Sequence, residues 1–334
     1  MLQRGSICAL SLVLCAASTW AATAPKENMT DYPVGPKDSR PQAIVSGPDG
    51  AIWFGTSTRV CKLTTDGKLS EFKLPDNLTS TKGGTVVQSM TVGPDGNLWG
   101  AYNQGNAIWR MTLTGEFTEF KVPTAKAWPR DITVGPDGNI WFSELSGNKI
   151  AKVTTKGEFT EFNIPTAKAG PYGIAVGPDG NIWFTEYNKQ AVGRVSMKGE
   201  FTEFPTPNHG PDGPGGPRCI AKGSDGNLWF TEWKANKIGR ITPNGEIAEF
   251  DIPTAGGGSI GIAPGPDGNV WFCENKGRRI GCITPKGEIT EHAIPHAPSE
   301  PFLVTGGPDG NIWFSDEDDR VTCLKIAGAK ASEK

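Results

Sequence analysis

From residue 29 onward, short runs of apolar and polar residues alternate between turns rich in glycine and proline. Phe159-Thr160-Glu161-Phe162-Asn163-Ile164 alternates as a strand with one exposed face should. Residues 173–176 form a short, mostly apolar strand, and Gly177-Pro178-Asp179-Gly180 turns it, with glycine supplying the positive φ that a tight hairpin needs. Residues 181–186 and 191–196 read as two more strands, closed by Lys198-Gly199. The pattern predicts a meander of four antiparallel strands, innermost to outermost, and nothing helical.

The meander recurs. Versions of Gly-Pro-Asp-Gly-Asn-Ile-Trp-Phe begin at Gly47, Gly93, Gly135, Gly177, Gly223, Gly265 and Gly307, in steps of 42 or 46 residues. A period of roughly 40–45 residues with one fixed tryptophan reads as one propeller blade per repeat. The expected fold is therefore all-β: a seven-bladed β-propeller of four-stranded antiparallel blades over residues 25–328. The phase of the repeat adds a prediction. Met29-Thr30-Asp31-Tyr32-Pro33-Val34 matches outermost strands such as Ile289-Thr290-Glu291-His292-Ala293-Ile294, yet it precedes any inner strand. The last repeat stops one strand short, so the N-terminal strand should pair with the C-terminal blade and close the ring. The tryptophans Trp53, Trp99, Trp141, Trp183, Trp229, Trp271 and Trp313 fall at one strand position and read as packing between blades.

Strand alternation puts the Gly-Pro-Asp-Gly turns and the Lys-Gly-Glu turns on one face, the bottom. The loop leading into each innermost strand and the loop after each Trp-Phe strand share the top. Top loops vary between repeats, and variable loops on a rigid scaffold carry function. The extra residues of the two longer repeats, 77–85 and 208–216, fall there as well. Two rings of side chains are expected around the top of the channel. One comprises Gln42, Gln88, Arg130, Tyr172, Arg218, Ile260 and Phe302; the other Thr56, Tyr102, Glu144, Glu186, Glu232, Glu274 and Asp316. The glutamates, identical in four blades, also suit a role bracing neighbouring loops. With Trp128, Tyr187 and Trp233 in top loops, the cleft suits a mid-sized small-molecule or peptide-like ligand. Arg130, Tyr172, Arg218, Trp233, Trp128 and Phe302 are the candidate ligand-binding residues.

Composition narrows this further. A net charge of −3 with mixed signs lacks the basic stripe of a nucleic-acid surface. Residues 1–21 have the basic, apolar and small-residue zones of a signal peptide, with cleavage expected between 21 and 24. The mature chain is expected to be exported, periplasmic or secreted, monomeric and free of the membrane, with a disordered tail at 329–334. Cys8 and Cys15 leave with the signal. The remaining five, Cys61, Cys219, Cys273, Cys282 and Cys323, have no metal-site spacing; Cys273 and Cys282 could lie on neighbouring strands.

Trp229 to Glu232, then Asn236-Lys237-Ile238-Gly239-Arg240-Ile241-Thr242 and Gly245-Glu246-Ile247-Ala248-Glu249-Phe250, resemble the streptogramin B (virginiamycin B) lyases over nearly the whole mature chain. The resemblance implies elimination at the ester bond of a cyclic depsipeptide on the top face, with Mg²⁺ and histidine. It places the two acidic, metal-associated positions at Glu300 and Glu317. Ile260 and Phe302 stand where the family pattern has histidine. His296, four residues before Glu300, is then the candidate base beside Glu300, and His209 the other loop histidine. A non-catalytic propeller that binds a ligand or a protein, and a metal-dependent lactone hydrolase, are the alternative functions.

Overall fold

The computed structural model describes residues 28–35, 39–75, 87–207 and 215–326. The expected signal peptide, the tail, the insertion at 77–85, His209 and most of the second insertion lie outside them. The strands form seven antiparallel sheets of four. Blades 1 to 6 occupy residues 44–73, 89–121, 129–163, 171–205, 217–251 and 259–293. Blade 7 combines Pro301–Gly306, Ile312–Asp316 and Arg320–Leu324 with the N-terminal strand Met29–Pro33. Met29 faces Leu324 and Pro33 faces Arg320, so the two chain ends complete one blade, as the phase of the repeat requires. No described segment is helical, and no helix is long and apolar enough to cross a membrane.

One packing unit repeats around the ring. Each blade's tryptophan is at most 3% exposed. Its indole N–H donates to the aspartate of its own turn, at 2.9 Å for Trp53–Asp49 and 3.0 Å for Trp313–Asp309. Its ring stacks on an aromatic of the outermost strand, 5.3 Å from Phe120 in blade 2 and 5.6 Å from Phe250 in blade 5. In blade 7 the partner is Tyr32, 5.3 Å from Trp313, supplied by the N-terminal strand. A buried indole is worth about 4–6 kcal/mol on area alone, an upper bound. Trp99 packs with Ile140 and Phe142 of the next blade, and Trp313 packs with Ile52 and Phe54 across the closure. This sheet-to-sheet packing holds the innermost strands side by side around the axis.

The five described cysteines are free thiols. Cys273 and Cys282 do lie on neighbouring strands, but the register sets Cys273 opposite Ile280 and Cys282 opposite Trp271. That two-residue offset keeps the sulfurs from a bridging geometry.

Candidate functional site

The innermost strands are not regular. In blades 3 to 7 their pairing skips two residues, at Pro129/Ile132, Pro171/Ile174, Pro217/Ile220, Ser259/Ile262 and Pro301/Val304. A bulge of this kind bends the strand and turns consecutive side chains to one side. Arg130 with Asp131 and Phe302 with Leu303 accordingly line one central cavity, joined there by Gln88 and Ser89 of blade 2, whose innermost strand pairs without a register shift. Its volume is about 20 Å³, room for a single water. Strict alternation would have sent one of each pair away from the axis, which is why Asp131 escaped the sequence reasoning.

A hydroxyl secures the bulge in blades 3, 4, 5 and 7. Thr231 Oγ1 accepts the Cys219 N–H at 3.2 Å and donates to the Ile260 carbonyl of the next blade at 2.8 Å. Ser143 does the same between Asp131 (3.2 Å) and Tyr172 (2.7 Å), and Ser315 between Leu303 (3.1 Å) and Gln42 (2.7 Å) across the closure. Thr185 links Gly173 to Arg218 in the same way. Each bridge satisfies an amide freed by one bulge and fixes the carbonyl of the next ring residue.

The ring residues then interact along the top. Arg130 donates to Gln88 Oε1 and to the Tyr172 hydroxyl, and its guanidinium lies 4.3 Å from the Tyr172 ring centre. Arg218 lies 3.9 Å from the Trp233 ring, 5.6 Å from Tyr187 and 5.7 Å from Tyr172. Lys276 approaches the Trp233 ring at 4.8 Å. The result is a row of alternating cations and aromatic faces from blade 3 to blade 6. At its far end a 220 Å³ pocket is lined by Trp233, Lys234, Gly256, Gly258 and Lys276. Arg218 Nε is buried without a hydrogen-bond partner. Under the row, burial pushes the Asp131 carboxyl up, although it accepts N–H bonds from Ile132 (2.9 Å) and Ile174 (3.0 Å) and one from the Ser89 hydroxyl. Arg130, Tyr172, Arg218 and Trp233 thus come together, and Phe302 lines the cavity beside them. Trp128 is 41% exposed on the rim of blade 3.

The second expected ring lies elsewhere. Glu144, Glu186, Glu232 and Glu274 are at most 2% exposed and sit beside the outermost-strand glutamates Glu161, Glu203, Glu249 and Glu291. Burial, with repulsion from those neighbours, pushes each up to about 8. Gly147 is needed where it stands, since a Cβ there would collide with Glu144 Oε2. These carboxyls pack under the loops, clear of the residues that line the central cavity, and most of their oxygens are buried without a hydrogen-bond partner, so they do not brace the loops through hydrogen bonds as their four-fold identity suggested.

Blade 7 holds the acidic cluster. Glu317 N–H donates to the Glu300 carbonyl at 3.1 Å, and Gln42 Nε2 donates to Glu317 Oε1. Burial raises the Glu317 pKa, opposed by the Gln42 bond and reinforced by the Glu300 charge. Gln42 Oε1 is buried and unpartnered. The Glu300 and Glu317 carboxylates and the orphaned amide oxygen are hard oxygen donors, the chemistry that suits Mg²⁺, an ion that keeps several of its waters. No described group of three or more His, Cys, Asp or Glu is arranged to hold a metal. His296 stands apart from that pair. Its Nε2 lies 3.3 Å from Asp316 Oδ2, and its Nδ1 lies 3.0 Å from Asp31 Oδ2 on the N-terminal strand, off the hydrogen-bonding direction. Burial alone would lower its pKa; the two carboxylates outweigh it and carry the imidazole up to about 9. Asp316 also accepts the Ser299 hydroxyl at 2.6 Å and the Glu300 N–H at 2.8 Å.

Comparison with known proteins identifies the fold and the family. A search by sequence among curated proteins gives no match. A streptogramin B lyase structure superposes with a TM-score of 0.83 at 34% identity, covering 90% of this chain and 97% of its own. The virginiamycin B lyase of Staphylococcus aureus superposes at 0.81 with 34% identity, over 90% and 99% of the two chains. A catalytically inactive histidine-to-alanine form of that enzyme with quinupristin superposes at 0.82 with 34% identity, over 90% and 99%. A putative gluconolactonase, at 16% identity and a TM-score of 0.56, shares the fold alone. The profile of the Virginiamycin B lyase family matches residues 16–165 and 77–332. With the same seven blades and a matched length that takes in nearly every described strand, the chain belongs to the virginiamycin B lyase family.

Proposed function

We propose that the top face binds a cyclic, ester-containing peptide-like ligand, and that the chain is exported and meets this ligand as a monomer outside the cytoplasm. The observation that carries the reading is the row Arg130–Tyr172–Arg218–Trp233–Lys276. Its cations offer hydrogen bonds to ligand carbonyls, its rings offer apolar faces, and the 220 Å³ pocket beside it takes a protruding side chain. Glu300, Glu317 and Gln42 Oε1 would hold Mg²⁺, which when bound would polarise an ester carbonyl.

Ring opening by elimination needs a group that removes a proton near neutral pH. Ile260 and Phe302 have no such group. His296, with its pKa up to about 9, is already protonated at pH 7 and can donate a proton but not accept one. Capture without rapid turnover is therefore the function the geometry supports best. The acidic pair favours a second reading, a lyase in which Glu300 and His296 act on the bound ester. One experiment separates them. Quinupristin is mixed with the purified full chain with and without Mg²⁺; binding is read by calorimetry, and the ring-opened isomer, unchanged in mass, by chromatography. Saturable binding without product supports capture. Product that disappears in Glu300→Gln and Glu317→Gln supports the lyase. Neither binding nor product overturns both.

A further inference from the structure

On the opposite face, the packing unit around each tryptophan includes a cation in five blades. The third-strand residue paired with the tryptophan is Lys62, Arg110, Lys152, Arg194 or Arg240. Its charge lies 5.7, 5.6, 5.0, 5.3 or 5.5 Å from the tryptophan ring. In the first four it also meets the turn aspartate, at 2.7, 3.7, 2.8 and 3.5 Å. The arginines reach on to a carbonyl in the next blade, Thr155, Pro243 or Pro285.

Blade 6 keeps the seat and lacks the cation. Asp267 accepts the Trp271 indole N–H at 3.0 Å and the Asn269 side-chain amide at 2.8 Å, and His292 stacks on Trp271 at 5.4 Å. The residue paired with Trp271 is Cys282, and no described lysine or arginine forms an ion pair with Asp267. Among the described residues the cover is missing too. In blades 1 to 6 a turn joins the third and fourth strands, and its glycine lies against the outer aromatic of the preceding blade: Gly115 on Phe72, Gly287 on Phe250, Gly67 on Tyr32. Blade 7 takes these two strands from opposite chain ends, so it has no such turn to lay over His292. A 420 Å³ groove opens there, lined by Asp267, Trp271, Cys282 and His292 with Asn28 and Lys325 at the closure.

We propose that this groove is a binding site for an organic cation, an alkylguanidinium or alkylammonium group, seated on Trp271 and paired with Asp267 as the protein's own lysines and arginines are in blades 1 to 4. A carboxylate beside an indole at the wall of a groove, the pairing the protein itself uses for its lysines and arginines, is the chemistry that selects such a group. The site lies away from the top face and does not rest on the function proposed for it.

The test is a titration of the ¹⁵N-labelled full chain with butylguanidinium, read at the Trp271 indole N–H. Saturable shifts are expected. They weaken at least fivefold in Asp267→Asn and vanish in Cys282→Arg, which installs the guanidinium of blades 2, 4 and 5. Asp225→Asn in blade 5 leaves them unchanged and reports on general loosening of the ring. An arginine-containing tetrapeptide that binds at least tenfold tighter assigns the cation to a peptide side chain; equal affinity assigns it to a free small molecule. No saturable shift overturns the proposal, as does binding that survives Cys282→Arg. Binding seen only in a Lys330→Ala, Lys334→Ala chain also overturns it, because the occupant is then the protein's own C-terminus.

Discussion

Replacing His296 with glutamine separates a clasp on the closure from a catalytic base. In the fold the imidazole bridges Asp31 of the N-terminal strand and Asp316 of blade 7, with its pKa raised from 6.5 to about 9. A rise of about 2.5 units corresponds to about 3.4 kcal/mol at most. Water reaches part of this cluster and screens it, so about 1–2 kcal/mol is the expected contribution. Because the folded state binds the proton more tightly, this stability is present in full below pH 6.5 and is lost as pH rises through about 9. Glutamine keeps a donor but not the charge. Thermal unfolding of the full chain, followed by circular dichroism, should show His296→Gln melting about 1.5–3 °C below wild type at pH 6. By pH 10 the two proteins should melt together. An equal deficit at both pH values would mean that His296 acts through packing, and no deficit at pH 6 would mean that the bridge does not hold the closure. Either result would refute the electrostatic clasp.

Other parts of the structure give equally direct tests. Glu232→Gln should match wild type in thermal stability at pH 4 and exceed it at pH 9, because a carboxyl raised to about 8 makes the folded state progressively less stable as pH climbs from about 4.5 to 8; equal melting at pH 9 would contradict its burial as a neutral acid. Thr231→Val keeps the shape but leaves the Cys219 amide and the Ile260 carbonyl unpaired, an expected loss of about 2–4 kcal/mol in denaturant unfolding; a loss below about 0.5 kcal/mol would show that the bulge does not depend on the bridge. Arg218→Met should weaken quinupristin binding at least tenfold with little change in melting temperature, measured by calorimetry; unchanged affinity would remove the row of cations from the binding surface.

The architecture was legible because its signals repeat. Seven tryptophans at one strand position gave the blade count, and an outermost-type strand at residue 29 gave the closure, down to Tyr32 on Trp313. The site was legible where a residue departs from its repeat. Arg130, Tyr172 and Arg218 stand out against their counterparts, and the structure brings them together with Trp233. What stayed hidden depends on contacts between distant segments. Asp131 was masked by a bulge that breaks the alternation used to assign faces. The four glutamates sit at strand ends that alternation points toward the top, but the close approach of loops such as that at Gly147 buries them. His296 lies four residues before Glu300 in sequence, and only the return of the N-terminal strand shows that Asp31 holds it.

The bulges also explain how one scaffold can keep a fold and change its chemistry. A bulged strand presents two side chains per blade to the axis, while the backbone amide it frees is taken up by a serine or threonine of the neighbouring strand. In blades 3, 4, 5 and 7 that hydroxyl reaches the next blade, so the positions of the ring residues are set by Ser143, Thr185, Thr231 and Ser315 and not by the ring side chains themselves. Ile260 and Phe302 can therefore occupy their places without disturbing the backbone: the carbonyl of Ile260 is held by Thr231, and the amide after Phe302 by Ser315. Blade 6 has Cys273 at the hydroxyl position, and no such bridge from it holds the carbonyl of Phe302 among the described residues. Of the bulged blades, the junction between blades 6 and 7 is thus the one whose ring backbone lacks this restraint, and it adjoins Glu300 and Glu317. Cys273→Ser would supply the missing hydroxyl. If the missing restraint at this junction serves the acidic pair, that variant should raise the melting temperature and shift Mg²⁺ affinity measured by calorimetry; a change in stability with Mg²⁺ affinity untouched would show that the two are independent.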